Sequence, residues 1–447
     1  MIFERIVSEG LAHYSYFLAE GWDAIVLDPR RDVAIYLELA QRAGVRIRAI
    51  LETHRHEDFV LGSLELAALT GAPIWHADAQ LPYTYGEPVQ EGQTWTLGGL
   101  TLEALSTPGH TPGAMSYVLR TGSGQPWMVF TGDTLFADEV GRVDFLGAEM
   151  APVLAGQLYA SLTEKLLPLG PEVLMWSAHG AGSMCGGAIA DRPWTTLGLE
   201  ARLNPRLHYP DRAAFVAAVA QVAPQPPYIR RVEAWNLSGA PRLAELPLPR
   251  LLTTSEFAAR LETAQVVDTR PLPAFAAAHV PGALAMEAAR LPLMAGWFLD
   301  LERPVLLVCD GDPMPVVTLL RRLGFDQVLG FMQGMEEWIW AGLPIQTVGL
   351  VSAEALRREL ALGAPPTLID VRTPDETAQG GIPGARAVPL VRLPYHLDVL
   401  PREPLTLYCG GGPRSLLAAS YLQRAGWPEV RILLGGIAAW HALELEA

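Results

Sequence analysis

Short apolar runs divided by polar loops rich in glycine and proline mark the first half of the chain. Ile47 to Leu51, Leu100 to Leu105, Trp127 to Phe130 and Val173 to Trp176 each have the length and the boundaries of a buried strand. Helical periodicity appears at Gly62 to Leu69, where Leu64, Leu66, Ala67 and Ala68 are expected to face a core, and again at Val153 to Leu167. This alternation predicts a layered α/β sandwich over residues 1–208. PDRAAFVAAVAQVA then reads as an amphipathic helix, and Pro224, Pro226 and Pro227 cannot lie inside one, so residues 209–250 read as a connecting arm. The remainder repeats itself. VVDTR (Val266 to Arg270) aligns with LIDVR (Leu368 to Arg372), HVPGA with GIPGA, LLVC with LYC and QGMEEW with GGIAAW. That register predicts two copies of one α/β domain, 251–347 and 348–447.

Metal-ligating side chains collect where the first strands end. Ile47 to Leu51 runs into THRHEDF, Leu100 to Leu105 into STPGHTPG, Trp127 to Phe130 into TGD, and Val173 to Trp176 into SAHGAG. His54, His56, Asp58, His110, Asp133 and His179 are therefore delivered to one end of the layers, where α/β sites are built. Imidazoles two apart, with a carboxylate two further on, can converge on a divalent cation, because a tight loop turns alternate side chains to one side.

In order, spacing and loop chemistry these residues resemble the metallo-β-lactamase superfamily, whose pattern is H-x-H-x-D-H, a His, a Gly-Asp and a last His. One position departs from it: Phe59 stands where the last His of H-x-H-x-D-H would ligate a second metal, and a phenyl ring has no lone pair to donate. The resemblance then implies a single ion held by His54, His110 and Asp133. Two imidazoles and one carboxylate form the facial arrangement of non-haem Fe(II) oxygenases, and the set is similar to the iron site of the persulfide dioxygenases in this superfamily. One Fe(II) per chain is the expected cofactor, with zinc as the alternative. His56, Asp58 and His179 are expected behind the ligands, orienting them or ordering water. Arg142, in a GRVDF segment similar to one that contributes to substrate binding in persulfide dioxygenases, is expected to clamp a carrier's carboxylate with two parallel hydrogen bonds. Cys185, in the glycine-rich GAGSMCGG, follows His179 closely and is a candidate substrate-side thiol.

Both repeats resemble rhodanese modules. The expected architecture is a metallo-β-lactamase αβ/βα sandwich followed by two rhodanese-like α/β domains. In the second copy Cys409 ends a strand and is followed by GGGPRS, a C-x-x-G-x-R-S pattern similar to the rhodanese signature. Gly410, Gly411 and Gly412 permit a tight loop whose amides point at the sulfur, and Arg414, Ser415 and the helix that follows favour an anion there. In the first copy Cys309 is followed by DGDPMP, where Asp310 and Asp312 oppose a thiolate and Pro313 and Pro315 remove amides. That copy is expected to be catalytically silent.

Composition narrows the partners. The 447 residues carry a net charge of −15 with no basic cluster, which argues against nucleic acid, since binding it requires displaced counterions. Glu4 and Glu9 stand where a signal peptide carries a basic flank, and no run approaches the length of a membrane span, so a cytoplasmic protein is expected. Three dispersed cysteines make no disulfide framework. The sequence sets no oligomeric state, and a homo-oligomer is compatible with it. The resemblances imply a bifunctional sulfur enzyme. It would oxidise a low-molecular-weight thiol persulfide with O2 to sulfite and thiol, and would pass sulfane sulfur through Cys409 to sulfite, giving thiosulfate. Two other readings stay open: a glyoxalase II-like thioester hydrolase using Asp58 as base, and a sulfur carrier in which only the Cys409 loop is competent.

Overall fold

A computed structural model describes residues 1–192, 194–362 and 366–445. The chain divides into two compact units, one comprising Met1–Leu246 with Arg321–Gly324, the other Pro247–Leu320 with Phe325–Ala447.

The first unit contains two six-stranded sheets. One runs Ile2–Ser8, His13–Glu20, Asp23–Leu27, Arg46–Leu51, Ile74–His76, Glu87–Pro88 in spatial order, and the other Thr195–Thr196, Leu174–Ser177, Pro126–Gly132, Met115–Arg120, Leu100–Ser106, Thr94–Leu97. Their facing sides close over one core that includes Leu18, Leu27, Leu51, Leu102, Tyr117 and Phe130. Helices pack on both outer faces, because each sheet buries its second side too. Val26 and Ile50 of the first sheet meet Tyr36 and Leu66 of the helices Ala34–Ala43 and Ser63–Thr70. Val118 and Val129 of the second meet Leu154, Leu158 and Leu162. This is a four-layer αβ/βα sandwich, as the alternating pattern predicts. Strands buried on both faces read as continuous apolar runs, which is why Arg46–Leu51 ends in three consecutive buried residues.

Helix details depart from expectation in two places. On Ser63–Thr70, Leu66 is buried and Leu64 and Ala67 pack against the core, but Ala68 faces solvent. The periodic stretch at Val153 to Leu167 forms an α-helix over Ala151–Ala160 and widens into a π turn at Ser161–Leu166, keeping Leu154, Leu158, Leu162 and Leu166 on the buried side. The larger difference lies in the segment expected to be a connecting arm. Residues 209–246 fall within the first unit, and a second helix, Ile229–Ser238, follows the prolines and buries Ile229, Val232 and Asn236.

The second unit holds two five-stranded, wholly parallel sheets. Their orders are Arg250–Leu251, Val328–Gln333, Val305–Cys309, Gln265–Asp268, Leu284–Ala285 and Gly349–Val351, Val430–Leu433, Leu405–Tyr408, Thr367–Asp370, Arg386–Ala387. Numbered by chain position within each repeat, both follow the same order, the last strand lying second from one edge. The VVDTR and LIDVR segments do the same work in each: Arg270 forks onto Asp268 and Arg372 onto Asp370, each arginine also bonding a carbonyl eight residues further along the chain.

Candidate functional site

THRHEDF leaves its strand and is gripped at once. Asp28 accepts from the Thr53 amide and hydroxyl, both at 2.8 Å, and Asp78 accepts from the Arg55 amide at 3.0 Å and from Thr111 and Gly113 at 2.8 Å. One carboxylate thus ties the His54 loop to the His110 loop. The third loop comes close because position 132 is glycine, with φ +53 and space where a Cβ would lie 2.8 Å from Thr53.

His54, His110 and Asp133 converge, and all three are buried. Their hydrogen bonds fix which ring nitrogen faces the centre. The Thr53 hydroxyl spends its proton on Asp28, so its oxygen accepts from His54 Nδ1 at 2.9 Å. His110 Nδ1 donates to the Arg142 carbonyl at 2.7 Å. In the neutral rings both Nε2 atoms are then bare lone pairs, and they face Asp133 Oδ2 at 3.7 and 3.5 Å. His54 Nε2 and Asp133 Oδ2 are buried without a hydrogen-bond partner. Two imidazole lone pairs and a carboxylate oxygen at ligand-to-ligand spacing fit a divalent cation.

The two rings differ in protonation. Burial, reinforced by His56, holds His54 well below its ordinary value and so neutral. Burial opposes ionisation of Asp133, but His179, His54 and His110 outweigh it and keep its carboxyl well below the usual range. His110 is pushed up to about 9 against burial by Glu57 and Asp133, so the carboxylates hold a positive charge at the place where a cation would supply one.

His179 bridges two carboxylates, Nδ1 to Asp133 Oδ1 at 2.8 Å and Nε2 to Asp58 Oδ2 at 2.9 Å. Although burial opposes its charge, Asp133 and Asp58 raise it well above its ordinary value. It therefore donates at both ends and turns Asp133 Oδ2 toward the two histidines. His56 is diverted from that group, its Nε2 lying 3.1 Å from Asp28. Phe59 is fully buried and packs on His13 and His56 at centroid distances of 3.8 and 4.6 Å, placing hydrocarbon where a seventh ligand would be needed.

Two expected substrate contacts stand differently. The Arg142 fork is taken: Nε and Nη2 bond both oxygens of Asp144 at 2.9 and 2.7 Å, and the guanidinium lies over Phe145. It is not free to clamp a carboxylate, because a partner two residues along the chain occupies it. Its main chain instead joins His110 and, through its amide, the Cys185 carbonyl at 3.1 Å. Cys185 is fully buried beside Phe136 and Ile189, within reach of Asp58 and His179, and burial with the charges of Asp58, Asp133 and Glu57 pushes its thiol well up.

Sequence reasoning overlooked Glu57 and the helix Ile229–Ser238. Glu57 is fully buried, with Oε2 3.2 Å from His110 Nε2 and Oε1 3.2 Å from Arg55. Asn236 donates to the His56 and Phe59 carbonyls and accepts from the Leu61 amide, all at 2.9 Å. Tyr228 donates to the Asp58 carbonyl at 2.8 Å, and Glu233 pairs with Arg55 at 2.6 Å. The only signal was the amphipathic spacing after the prolines, which marks a helix without naming what it packs on.

In the second unit, Cys409 directly follows the strand Leu405–Tyr408 and is fully buried. The Gly412 amide donates to Sγ at 3.1 Å, and the Ser415 hydroxyl lies 3.7 Å away while donating to the Gly412 carbonyl. Gly412 has φ +126, a conformation that brings its amide to the sulfur. Gly410 and Gly411 lie between. Arg414 opens the helix Pro413–Arg424 and pairs with Glu376 through two 2.6 Å bonds. Cys309, in the first repeat, has no amide on its sulfur among the described contacts. Burial, with Asp310, Asp268 and Asp312, pushes its thiol up to about 11. In a Cys185→Ser/Cys409→Ser chain, iodoacetamide labelling of Cys309 should therefore quicken about tenfold per pH unit through pH 10, because only the thiolate reacts. A plateau near pH 8 would count against this reading.

The description "Metallo-beta-lactamase superfamily" matches residues 9–179, and "Rhodanese-like domain" matches residues 253–340 and 352–443. The mitochondrial persulfide dioxygenase ETHE1 of Homo sapiens is 30% identical over 203 residues, covering 43% of this chain and 71% of that protein. Hydroxyacylglutathione hydrolase GloC of Haemophilus influenzae is 27% identical over 214 residues, covering 42% and 90%. A crystal structure of a metallo-beta-lactamase from Staphylococcus aureus superposes with a TM-score of 0.66 at 26% identity, covering 75% of this chain and 98% of that one. That share exceeds what the segment 9–179 alone accounts for. No helix among the described residues is long and apolar enough to cross a membrane.

Proposed function

The chain belongs to the metallo-β-lactamase superfamily and carries two rhodanese-like domains behind that fold, and from this premise we propose that it is a bifunctional enzyme of sulfur oxidation. Its substrate is a low-molecular-weight thiol persulfide. At the first site RSSH, O2 and water give RSH and sulfite; at the second, Cys409 takes a sulfane sulfur and yields it to sulfite as thiosulfate. The observation that carries the reading is the convergent donor set of His54 Nε2, His110 Nε2 and Asp133 Oδ2, with Phe59 in the place of a further histidine beside it.

These three residues would hold Fe(II), which when bound supplies the activation of O2 and a seat for the terminal sulfur. The chain's own part is positional. His179 holds Asp133 in place, Asp28 and Thr53 fix the His54 tautomer, and the Arg142 carbonyl fixes that of His110. The ligands are sealed from bulk water, which protects a reactive sulfur species from side reactions.

The likeness to a hydroxyacylglutathione hydrolase keeps thioester hydrolysis as the rival. Phe59 disfavours its two-metal form, and Asp58, the base that form would employ, is engaged by His179. Metal analysis of anaerobically purified protein decides between them. About one iron per chain, with one O2 consumed per sulfite formed when Cys409 is blocked, is the expected result. Two tightly bound zinc ions with thioesterase turnover would sink the proposal.

A further inference from the structure

We propose that a cleft between the two repeats, beside the Cys409 loop, binds the sulfur donor, and that Arg290 and Glu287 of the first repeat select a persulfide whose carrier is zwitterionic, of amino-acid or peptide type. The inference rests on the reading of Cys409 as a sulfur-transfer site and names the donor that site takes.

Both repeats belong to one compact unit, and the first lies along the helix that follows Cys409. The Ala285 amide donates to the buried Ser420 hydroxyl at 3.1 Å, Gln423 donates to the Thr347 carbonyl at 2.8 Å, and Phe298 meets Tyr421 edge-on at a centroid distance of 5.2 Å. Leu272 reaches the transfer loop itself. A Cβ on Gly412, the residue whose amide holds the Cys409 sulfur, would lie 2.9 Å from Leu272 Cδ1. The repeat without a competent cysteine is thus part of the surroundings of the one that has it.

Met286, Leu293 and Met294 of the first repeat and Leu417 of the second line the cleft, together with Pro413 and Arg414 from the end of the Cys409 loop. Such walls suit the methylenes of a small carrier, and methionine thioethers are soft enough to lie against sulfur. Its charged groups are unevenly engaged. Arg270 is forked onto Asp268 and Arg414 onto Glu376, so neither has charge to spare. Arg290 and Glu287 line the cleft as well, and among the described residues neither side chain has a hydrogen bond or an ion pair.

These two are placed as a pair. The Arg290 amide bonds the Glu287 carbonyl at 2.9 Å and closes a 3-10 turn, in which residues three apart lie on one side. Opposite charges therefore stand near each other without being spent on each other. A carrier with only a carboxylate would meet Glu287 as well as Arg290, and one with only an ammonium would meet the reverse. A carrier bearing both satisfies both. The transfer itself is unaltered: the outer sulfur passes to the Cys409 thiolate, and the inner sulfur leaves as the thiolate of the carrier.

The test uses the full chain without oxygen, so that the first site is idle, with sulfite as acceptor and thiosulfate as the measured product. Three donors share one skeleton: the persulfides of cysteine, which bears both charges, of cysteamine, which bears only the ammonium, and of 3-mercaptopropionate, which bears only the carboxylate. Wild type should prefer the cysteine donor, and the preference should lie in KM, because the selecting charges take no part in the bond exchange. Arg290→Met should cost about fivefold in kcat/KM for the two donors that bear a carboxylate and should not weaken the cysteamine donor. Glu287→Gln should cost about as much for the two that bear an ammonium and should not weaken the mercaptopropionate donor. Arg358→Met, which removes an exposed guanidinium outside the cleft, should shift no donor relative to another. Losses that ignore donor charge in both variants, or a wild-type chain that treats the three donors alike, overturn the inference. Transfer from thiosulfate to cyanide by wild type is measured alongside. Its absence would overturn the sulfurtransferase reading itself, whereas its presence with charge-blind variants overturns the donor assignment alone.

Discussion

Cys409→Ser is expected to consume O2 with a thiol persulfide at close to the wild-type rate while its product changes from thiosulfate to accumulating sulfite. The argument is one of bond making. A persulfide RSS⁻ meets the Cys409 thiolate, the S–S bond to R breaks, RS⁻ leaves, and the outer sulfur remains on the enzyme. Sulfite then attacks that outer sulfur and departs as thiosulfate, returning the thiolate. An alcohol forms no such intermediate, so transfer should fall to the uncatalysed background. The Gly412 amide at 3.1 Å and the Ser415 hydroxyl are the groups that receive the returning charge. Cys309→Ser should change nothing, since its loop offers carboxylates where the Cys409 loop offers an amide. Thiosulfate formed by Cys409→Ser at the wild-type proportion would show that the C-terminal module serves a different acceptor. Equal losses in both variants would show that the first repeat is active.

The fold was legible because strands buried on both faces announce themselves by continuous apolar runs, and the repeat because aligned segments carry the same structural pairs. Asp268 with Arg270 and Asp370 with Arg372 recur in register with the strands they end. The convergence of His54, His110 and Asp133 was legible for a related reason: all three follow strands whose carboxyl ends meet, and backbone topology alone brings them near one another. Phe59 was legible as a missing donor. What the sequence withheld depends on tertiary contact. The prolines at 224–227 read as an exit from the domain, yet the helix after them returns Tyr228, Glu233 and Asn236 to the THRHEDF loop. Glu57 was passed over because alternation assigns it outward, and only the turn of the loop reverses that. Arg142 was read as available because Asp144 looked like a neighbour in sequence rather than the occupant of its fork.

Asp133→Ala is expected to lower bound iron from about one per chain to near zero and to abolish O2 uptake, while transfer from thiosulfate to cyanide persists. Asp133 does two things at once, presenting Oδ2 to His54 and His110 and accepting from His179 through Oδ1. Its loss removes a ligand and releases the imidazole that aimed it, so the deficit should exceed the about 10–100-fold cost of losing an outer partner alone. His179→Gln separates the two effects. It leaves Oδ2 in place and should weaken metal binding within that 10–100-fold range, with partial O2 uptake restored by excess Fe(II). The Cys409 loop belongs to the other compact unit and draws its amide, its hydroxyl and the Glu376 partner of Arg414 from within it, so neither substitution removes any part of the transfer site. Iron by elemental analysis after gel filtration, O2 by electrode and thiocyanate by colorimetry read the three quantities independently. Retention of stoichiometric iron by Asp133→Ala would mean that the carboxylate holding the ion is another one, and the ligand set would have to be redrawn around it.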